Sequence, residues 1–510
     1  MKSRSVGVCY LVGAGPGDPG LLTLRGRECI EAAEVIVFDS LANPELLRWA
    51  TAACEKIDAG KRSRRHKLTQ DEINALLVRL TGEGKVVTRL KGGDPLIFGR
   101  GGEEAQALAA AGLAFEIVPG VSSAIAGPAY AGIPVTHRSC NTVLTLFTGH
   151  EDPAKGDPVT GYGAIAAGAG VKVMLMGVER LAAITQEMLS AGASPHTPVA
   201  LVRWATTGRQ QTLTGTLKNI ASRAEDAKFQ APAVAVFGEV VRCRDQLNWF
   251  ESRPLFGKRV VVTRTRRQAS ALSRGLRDLG ADVIELPTIR IEPPPNAKAF
   301  AQSVRDAHTY NWLVFTSPNG AEAFFELFFR LYADARCLGG ARIAAIGPGT
   351  ARKIAEYRLA VDLQPEEYIA EGLVRAFEQQ EGSIENLTFL WVRAGTTREV
   401  ISRELGNRGA IVDEAVAYRT VPEKEDVCGG RARFLEEGAD VVTFTSSSTV
   451  EGFFSLNLPF PPGLRIASIG PVTSEAVRNH GNVVDSEART HDIPGLIEAV
   501  RRLCRKKPGV

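Results

Sequence analysis

The sequence lacks every common spacing of metal-binding residues. Its eight cysteines are scattered without a C-x-x-C pair, and its seven histidines form neither H-x-x-x-H nor H-E-x-x-H. Neither a zinc knuckle nor a disulfide framework is therefore indicated, the histidines supply no metal motif, and no metal is expected. No run of 18 apolar residues occurs, so no membrane-spanning helix is expected. The simplest expectation is a protein of the reducing cytoplasm.

The chain also has little net charge. Lys and Arg number 61 against 57 Asp and Glu, a formal +4 over 510 residues, which gives no support for nucleic-acid binding from bulk charge. At about 100 to 200 residues per domain, the length predicts three or four globular units. The start, MKSRSVGVCYLVGAG, resembles a signal peptide, but its apolar run enters a turn-rich GPGDPG and is better interpreted as a buried strand.

Glycine, by contrast, is abundant. The chain contains 51 glycines, one residue in ten, against a usual share of roughly 7%. The excess lies in short turns between predicted strands and helices. Such turns let the backbone approach a ligand closely, so they indicate binding loops for phosphate-like or carboxylate groups.

The pattern of the first half is typical of an α/β fold. From Val6 the order is strand, glycine turn, helix and strand, and strand-like runs then alternate with helical stretches to about residue 250. After NWFESRPLFGK (248–258) the pattern restarts with another β-α-β unit. We therefore predict domains over 1–250 and 258–510, joined by a linker at 251–257.

The second half contains an internal repeat. FTSPNGAEAFF (315–325) returns as FTSSSTVEGFF (444–454), identical at six of eleven positions, and AAIGPGTARKI (344–354) returns as ASIGPVTSEAV (467–477). In each copy a strand runs into a turn and then a helix, so two similar lobes are predicted. The turns place hydroxyls and backbone N–H groups at helix N-termini, which suits a polycarboxylate ligand; ordinary N-capping is the alternative.

The first glycine turn, GAGPGD (13–18), invites comparison with a dinucleotide site. Asp39 ends the next strand, as the acid of such a site does, but the G-x-G-x-x-G spacing needs glycine at position 18, where Asp18 stands. Pro16 also removes a backbone N–H from the loop. The residues alone leave open an NAD site, a structural turn and a different nucleotide-like ligand.

The motifs of the first half occur in a characteristic order: GAGPGD, VIVFD, GKR, RLKGGDPLIFGRGGEE, VPGVSSA, AGIPVTHR, MLMG and LNWF. In this order they resemble uroporphyrinogen-III C-methyltransferase of the tetrapyrrole methyltransferase family, over residues 6–250. The resemblance implies a two-lobed α/β fold, with lobes of about 1–137 and 138–250. It also implies S-adenosylmethionine as co-substrate and a homodimer formed through this half.

The same resemblance implies which residues contact S-adenosylmethionine. The implied contacts are Pro16, Gly92, Gly93, Asp94, Ile97, Ser122, Ser123, Met176 and Ala205. Relatives have Thr-Ala in place of Ser122 and Ser123, and Gly in place of Ala205. Backbone contacts survive both changes, so we expect a preserved site with somewhat less room.

The family's proposed acid and base fall at the end of VIVFD and in GKR, which makes Asp39 and Lys61 the catalytic candidates. A pyrrole carbon that attacks a sulfonium methyl then loses a proton, so a positioned base is needed; Asp39 is alternatively only a hydrogen-bond acceptor. Lys61 opens the basic run 61–67, in which Arg64 is a substrate-binding candidate. A solvated face or a nucleic-acid patch is the alternative for this run.

The second half, over 258–505, resembles uroporphyrinogen-III synthase through TSPNGAEAFF, AIGPGTA, YRTVP and SIGPVT. The resemblance implies two α/β lobes joined by two strands, one lobe from 258–290 plus 420–505 and the other from 295–418, and no cofactor. It makes Tyr418 the catalytic candidate. The substrate-binding candidates are Ser317, Thr350, Ser446 and Thr473 in the repeated turns, with Arg264 and Arg393 at strand ends.

Together the two resemblances imply a bifunctional enzyme of porphyrin, siroheme or cobalamin biosynthesis. It would close hydroxymethylbilane to uroporphyrinogen III and methylate that product twice to precorrin-2. The alternatives are a working methyltransferase with a degenerate second half, a methylase of a later corrin intermediate, and a non-catalytic two-lobed binding protein. Small tetrapyrroles are the expected partners, with no nucleic acid and no membrane.

Overall fold

The computed structural model describes residues 7–60, 68–150, 161–367, 369–395, 400–426 and 429–505, with the backbone alone for 266–270. Its strands form four five-stranded sheets, two in each half of the chain. Helices separate most consecutive strands. The α/β class predicted from the sequence is therefore confirmed, whereas the exact domain boundaries stay predictions.

The first sheet is parallel throughout, in the order β3-β2-β4-β1-β5. Its strands are β1 (Val8–Gly13), β2 (Val35–Phe38), β3 (Glu55–Asp58), β4 (Val86–Lys91) and β5 (Ala114–Val118). The helices between and after them are α1 (Leu24–Ala32), α2 (Gln70–Gly82), α3 (Gly101–Ala110) and α4 (Ser123–Tyr130). Both faces carry apolar cores, as parallel sheets require, with Val12 on one face and Leu11 on the other. All carboxyl ends therefore meet at one edge, where the glycine loops follow β1 and β4.

The second sheet is mixed, in the order β6-β7-β10-β8-β9, and only β6 and β7 pair in parallel. Its strands are β6 (Leu144–Thr148), β7 (Val171–Leu175), β8 (Pro198–Arg203), β9 (Gln211–Thr216) and β10 (Ala233–Phe237). Its helices are α5 (Tyr162–Ala167), α6 (Leu181–Ser190), α7 (Ile220–Asp226) and α8 (Arg244–Leu247). Short 3₁₀ helices span Pro19–Leu21, Pro44–Trp49, Val178–Arg180 and Glu239–Cys243.

The connection between the halves packs into both of them. Phe250 is buried, with its ring 4.8 Å from that of Tyr130 in the first half. Leu255 lies in the core of the second half, and its N–H donates to the Leu279 carbonyl at 2.8 Å. Segment 251–257 is therefore held on both sides by apolar contacts and backbone hydrogen bonds.

The second half contains two further sheets. Its strands are β11 (Arg259–Val262), β12 (Asp282–Glu285), β13 (Ile289–Glu292), β14 (Trp312–Phe315), β15 (Arg342–Ala345), β16 (Thr388–Ala394), β17 (Ile411–Pro422), β18 (Val441–Phe444), β19 (Arg465–Ser468) and β20 (Ser486–Glu487). The third sheet has the parallel order β12-β11-β18-β19-β20, and the fourth has the order β13-β17-β16-β14-β15. The antiparallel pair β13 and β17 carries the chain into the fourth sheet and back.

The helices of the second half flank these sheets. They are α9 (Arg266–Asp278), α10 (Ala297–Arg305), α11 (Pro318–Leu331), α12 (Pro348–Glu356), α13 (Ala370–Glu381), α14 (Val400–Gly406), α15 (Gly430–Glu437), α16 (Ser447–Ser455), α17 (Pro471–Asn479) and α18 (Ile493–Cys504). Two short 3₁₀ helices, Asp306–Thr309 and Ala335–Leu338, complete this half. The repeat is visible in the packing, because Phe324 and Phe453 occupy corresponding positions of α11 and α16 and each is buried against its own sheet.

Among the described residues, none of the helices combines the length and apolar character that crossing a membrane requires. Within the same residues, no group of three or more His, Cys, Asp and Glu side chains is arranged to hold a metal ion.

Candidate active sites

A cavity of about 750 Å³ opens between the two sheets of the first half. One side is formed by the loops after β1, β2 and β4, and the other by the loops after β7 and β8. Every residue that the sequence indicated for cofactor contact lines this cavity, as does Asp39: Pro16, Gly92, Gly93, Asp94, Ile97, Ser122, Ser123, Met176 and Ala205. The fold thus brings together residues that are up to 189 positions apart (205 − 16).

Close contact between three glycine loops shapes one wall. Gly15 and Gly93 exchange two backbone hydrogen bonds, of 3.2 and 2.8 Å. A Cβ atom on Gly120 would lie 2.3 Å from the Gly93 carbonyl oxygen and 2.6 Å from the Gly13 Cα atom. No larger residue fits at Gly120 without separating these loops. The glycines therefore allow the backbones of the loops to pack in direct contact.

Asp94 joins two of these loops through its side chain. Its Oδ1 accepts hydrogen bonds from the N–H groups of Leu96 and Ile97 at 2.8 and 3.2 Å, and its Oδ2 accepts one from Gly120 at 3.0 Å. Both carboxylate oxygens are therefore engaged by the protein itself. A cofactor contact at Asp94, as predicted, would come from its backbone or from lone pairs left over after these bonds.

Several residues around the cavity have a left-handed backbone, which is uncommon outside glycine. Those that line it are Phe98 (φ 53°), Arg100 (φ 59°), Met176 (φ 54°), Trp204 (φ 49°) and Thr206 (φ 68°). Such strain persists only where the surrounding structure enforces it, and it concentrates at functional sites. Of the residues that line the cavity, Met176 is exposed, whereas Ala205 is buried.

Asp39 belongs to a charged network that sequence reasoning missed. The Arg89 guanidinium donates to Asp39 Oδ1 at 2.6 Å and to Glu104 Oε1 at 3.1 Å, and Lys91 Nζ lies 2.8 Å from the same Glu104 oxygen. Arg89, Lys91 and Glu104 are buried. Burial, with the nearby Arg89 charge, lowers the pKa of Lys91. The feature of the sequence that could have indicated this network is the presence of two charged residues, Arg89 and Lys91, in the buried strand VVTRLK.

Lys61 and Arg64 lie outside the described residues, so their predicted roles stay predictions. Gly60, the last described residue before them, lines the cavity.

In the second half, Tyr418 meets one of the repeated turns. Its hydroxyl lies 3.0 Å from Ser317 Oγ, and Ser317 also accepts a hydrogen bond from the Gly320 N–H at 3.1 Å as the N-cap of α11. Burial raises the pKa of Tyr418, opposed by its hydrogen bonds with Ser317 and Asn319. Thr350 is buried in the first turn of α12.

The corresponding turns of the other lobe are also in contact. Ser446 caps α16 in a reciprocal pair with Thr449, and its Oγ lies 3.0 Å from that of Ser448. Ser447 Oγ donates to the Val472 carbonyl at 3.4 Å, which connects this turn to the one that holds Thr473. Thr473 is buried in the first turn of α17. Capping accounts for the local role of Ser446, while its predicted role in substrate binding remains a prediction.

The two predicted arginines have different surroundings. Arg264 follows β11, and burial lowers the pKa of its guanidinium. Arg393 lies in β16, and its Nε is 2.7 Å from Glu414 Oε2. A substrate carboxylate at Arg393 would therefore compete with a carboxylate of the protein.

Comparisons with known proteins fit these two sites. Residues 8–221 match the family described as Tetrapyrrole (Corrin/Porphyrin) Methylases, and residues 270–498 match Uroporphyrinogen-III synthase HemD. The chain is similar to "Porphyrin biosynthesis protein HemD" of Ruminiclostridium josui, at 34% identity over 93% of this chain and 94% of the relative. It is also similar to "Uroporphyrinogen-III C-methyltransferase" of Bacillus subtilis (strain 168), at 42% identity over 65% of this chain and 68% of the relative. "S-adenosyl-L-methionine-dependent uroporphyrinogen III methyltransferase" of Methanosarcina barkeri is 51% identical over 48% of this chain and 96% of its own length.

The fold and the two candidate sites define a fusion of two α/β enzymes, each with two lobes. The chain belongs to the family that joins a tetrapyrrole methylase to a uroporphyrinogen-III synthase. It thus carries a methyltransferase domain and a uroporphyrinogen-III synthase domain, and the family resemblance drawn from the sequence is confirmed.

Proposed function

We propose that the second half closes hydroxymethylbilane to uroporphyrinogen III and that the first half methylates this product twice, giving precorrin-2. The observation that carries the proposal is the convergence of the glycine loops, Asp39, Met176 and Ala205 on one cavity in a chain that also holds a synthase domain. The product of one half is then the substrate of the other. Siroheme is one destination for precorrin-2, and "Siroheme synthase" of Azotobacter vinelandii is 45% identical to 49% of this chain.

S-adenosylmethionine would be the methyl donor in the first half. The cavity supplies what such a ligand needs, since the apolar Ile97 and Ala205 suit an adenine ring and the glycine loops present backbone groups to polar atoms. Its reactive sulfonium provides the methyl group. In this proposal Asp39, which lines the cavity, accepts the proton that the methylated pyrrole carbon releases, and the hydrogen bond from Arg89 at 2.6 Å orients its carboxylate.

In the synthase half, we infer that Tyr418 assists the departure of hydroxide during ring closure. A phenol is protonated at neutral pH, so a proton is available, but burial raises the pKa of Tyr418 and makes it a weaker acid than an exposed tyrosine. We therefore expect much of the acceleration to come from holding the linear substrate in the reactive shape.

One incubation tests the proposal. Hydroxymethylbilane is supplied with S-adenosylmethionine to the full chain, and products are separated by isomer and by methylation state. We expect the type III isomer carrying two added methyls. Spontaneous type I isomer alone would remove the synthase assignment, and unmethylated type III isomer would remove the methyltransferase assignment.

A further inference from the structure

The cavity of the first half has a third wall, which comes from the second half. Strand β12, the end of α9 and the start of α15 border it through Arg277, residues 281–285, Gly430 and Arg433. These residues belong to the synthase half, and none of them lies in its repeated turns.

The second half contacts the first lobe of the first half in a group of four charged side chains, two from each half. We term this group the inter-half cluster: Glu45, Arg48, Arg277 and Glu285. Arg277 donates to the Glu45 carboxylate and lies 3.4 Å from Glu285, and Arg48 lies 3.6 Å from Glu285. The Glu45 and Glu285 side chains are only 11% and 5% exposed. Arg277 and Arg48 lie at ion-pair distance from Glu45 and Glu285, so removing either arginine would leave a buried carboxyl group without that partner.

The second half reaches the other lobe at Gly208 and Arg209. A Cβ atom on Gly208 would lie 2.2 Å from the Ala281 carbonyl carbon, so the two backbones touch. Arg209 Nη1 lies 3.1 Å from Glu437 Oε1. The second half therefore contacts both lobes of the first half, at residues that line the cavity.

The segment that the cluster anchors leads directly to the candidate base. Glu45 and Arg48 belong to the 3₁₀ helix Pro44–Trp49, and the preceding loop begins at Asp39. Within that loop, Asn43 Nδ2 donates to the Gly17 carbonyl at 2.7 Å, and its Oδ1 accepts from the Glu45 N–H at 3.0 Å. The contact of Arg277 with Glu45 therefore restrains the segment that begins at Asp39 and, through Asn43, the GAGPGD loop.

The other anchored segment leads to the cofactor side of the cavity. Arg209 lies four residues after Ala205, and its guanidinium stacks over the Trp204 ring at 3.6 Å. Between them, Thr206 Oγ1 accepts a hydrogen bond from the Asp18 N–H at 3.0 Å, which links this loop to the opposite lobe. The contacts at Glu45 and at Arg209 therefore fall on two segments that line the cavity.

We propose that the synthase half is a working part of the methylation site: it spans both lobes of the cavity and holds the Asp39 and Ala205 loops at the separation that methylation requires. The proposal rests on the proposed function of the first half. Arg277 and Glu285 are positioning residues in this scheme, because they act on Asp39 through Glu45. The dependence has one direction, since the cluster includes none of the candidate synthase residues.

The test uses Arg277→Met in the full chain. Methylation is measured with uroporphyrinogen III supplied directly, cyclisation with hydroxymethylbilane alone, and hydrogen exchange over residues 39–49. We expect methylation kcat to fall about tenfold or more, because small misplacements of reacting groups are that costly. Cyclisation stays within about twofold, exchange over 39–49 becomes faster, and Arg277→Lys, which keeps the charge, recovers part of the loss.

Arg336→Met is the matched control, because it removes an exposed arginine paired to Asp334 at 2.6 Å and should change nothing. Unchanged methylation together with faster exchange over 39–49 would overturn the proposal, and so would unchanged exchange. If Arg277→Met also loses cyclisation through misfolding, the same three measurements are made on Glu285→Gln, a nearly isosteric change within the inter-half cluster. If the wild-type chain does not methylate, the proposed function fails, while exchange and S-adenosylhomocysteine affinity in the variants still decide whether the cluster positions the loop.

Discussion

Tyr418 and Asp39 are each held by a partner that fixes the functional group. The Tyr418 hydroxyl meets Ser317 Oγ at 3.0 Å, and Asp39 accepts from Arg89 at 2.6 Å. Ser317 was a candidate for the same site as Tyr418, but the hydrogen bond between them was not predicted, and Arg89 was not predicted at all, because the partners are 101 and 50 residues apart in sequence. Residue types and motifs identified the candidates, but only the packed sheets bring their partners to them.

At Tyr418, removing the hydroxyl tests the proposed proton donor. Tyr418→Phe keeps the buried ring, so we expect a stable protein whose cyclisation kcat falls about tenfold or more, the lower range for loss of a general acid. Methylation of supplied uroporphyrinogen III should not change. Tyr332→Phe is the control, since its hydroxyl donates only to the Arg305 carbonyl at 3.3 Å, outside the repeated turns. Cyclisation at the wild-type rate in Tyr418→Phe would remove this tyrosine from the candidates.

At the scale of elements, strands and glycine turns were the most predictable part of the molecule. Alternation of strand and helix gave the α/β class, which is confirmed, and the duplicated FTS segments do begin corresponding helices α11 and α16. The mixed order of the second sheet was not predictable, because hydrophobic runs do not report strand direction. Whether each loop binds ligand also stays a prediction, since Asp94 and Ser446 have structural hydrogen bonds that explain their positions without one.

The glycine loops provide a prediction at this scale. Gly120→Ala would place a methyl 2.3 Å from the Gly93 carbonyl oxygen, so we expect the free energy of unfolding to fall by about 2–3 kcal/mol, as overpacking does, with weaker S-adenosylhomocysteine binding. Urea unfolding and calorimetric titration measure the two effects. Gly102→Ala, in α3, meets nothing within 4 Å and should raise stability by up to about 1 kcal/mol. Equal stability in the two variants would contradict the close-packing argument.

At the scale of the whole molecule, the two halves are in contact through charged side chains that no sequence pattern predicted. Glu45 and Arg277 are 232 residues apart, and each alone is typical of a solvated helix position. Burial raises the pKa of Glu45 to about 7, and the neighbouring Glu285 acts in the same direction while Arg277 and Arg48 oppose it. The contact between the halves is therefore sensitive to pH in the range just below neutrality.

This sensitivity has a definite sign. Because the pKa of Glu45 is higher in the folded chain than in the unfolded one, the folded chain binds more protons between about pH 4.5 and 7. The resulting stabilisation is present below that range and is lost as the pH rises to about 7. Glu45→Gln should remove this contribution, which is of order 1–3 kcal/mol, and flatten the fall in unfolding free energy between pH 5 and 8. Parallel urea-unfolding curves for wild type and variant at every pH would contradict the assignment.

The packed connection between the halves constrains how this chain can be divided. Phe250 and Leu255 are buried on opposite sides of the junction, and Glu251 accepts from Gln210 and Thr212 at 2.9 and 2.6 Å. The Phe250 and Phe256 rings lie 5.6 Å apart across this segment, and the pairs Arg277–Glu45 and Arg209–Glu437 join the halves elsewhere. Separating the two enzymes would therefore expose, on each half, apolar and charged groups that now face the other half, and each half would need new residues there before it could persist as a separate polypeptide.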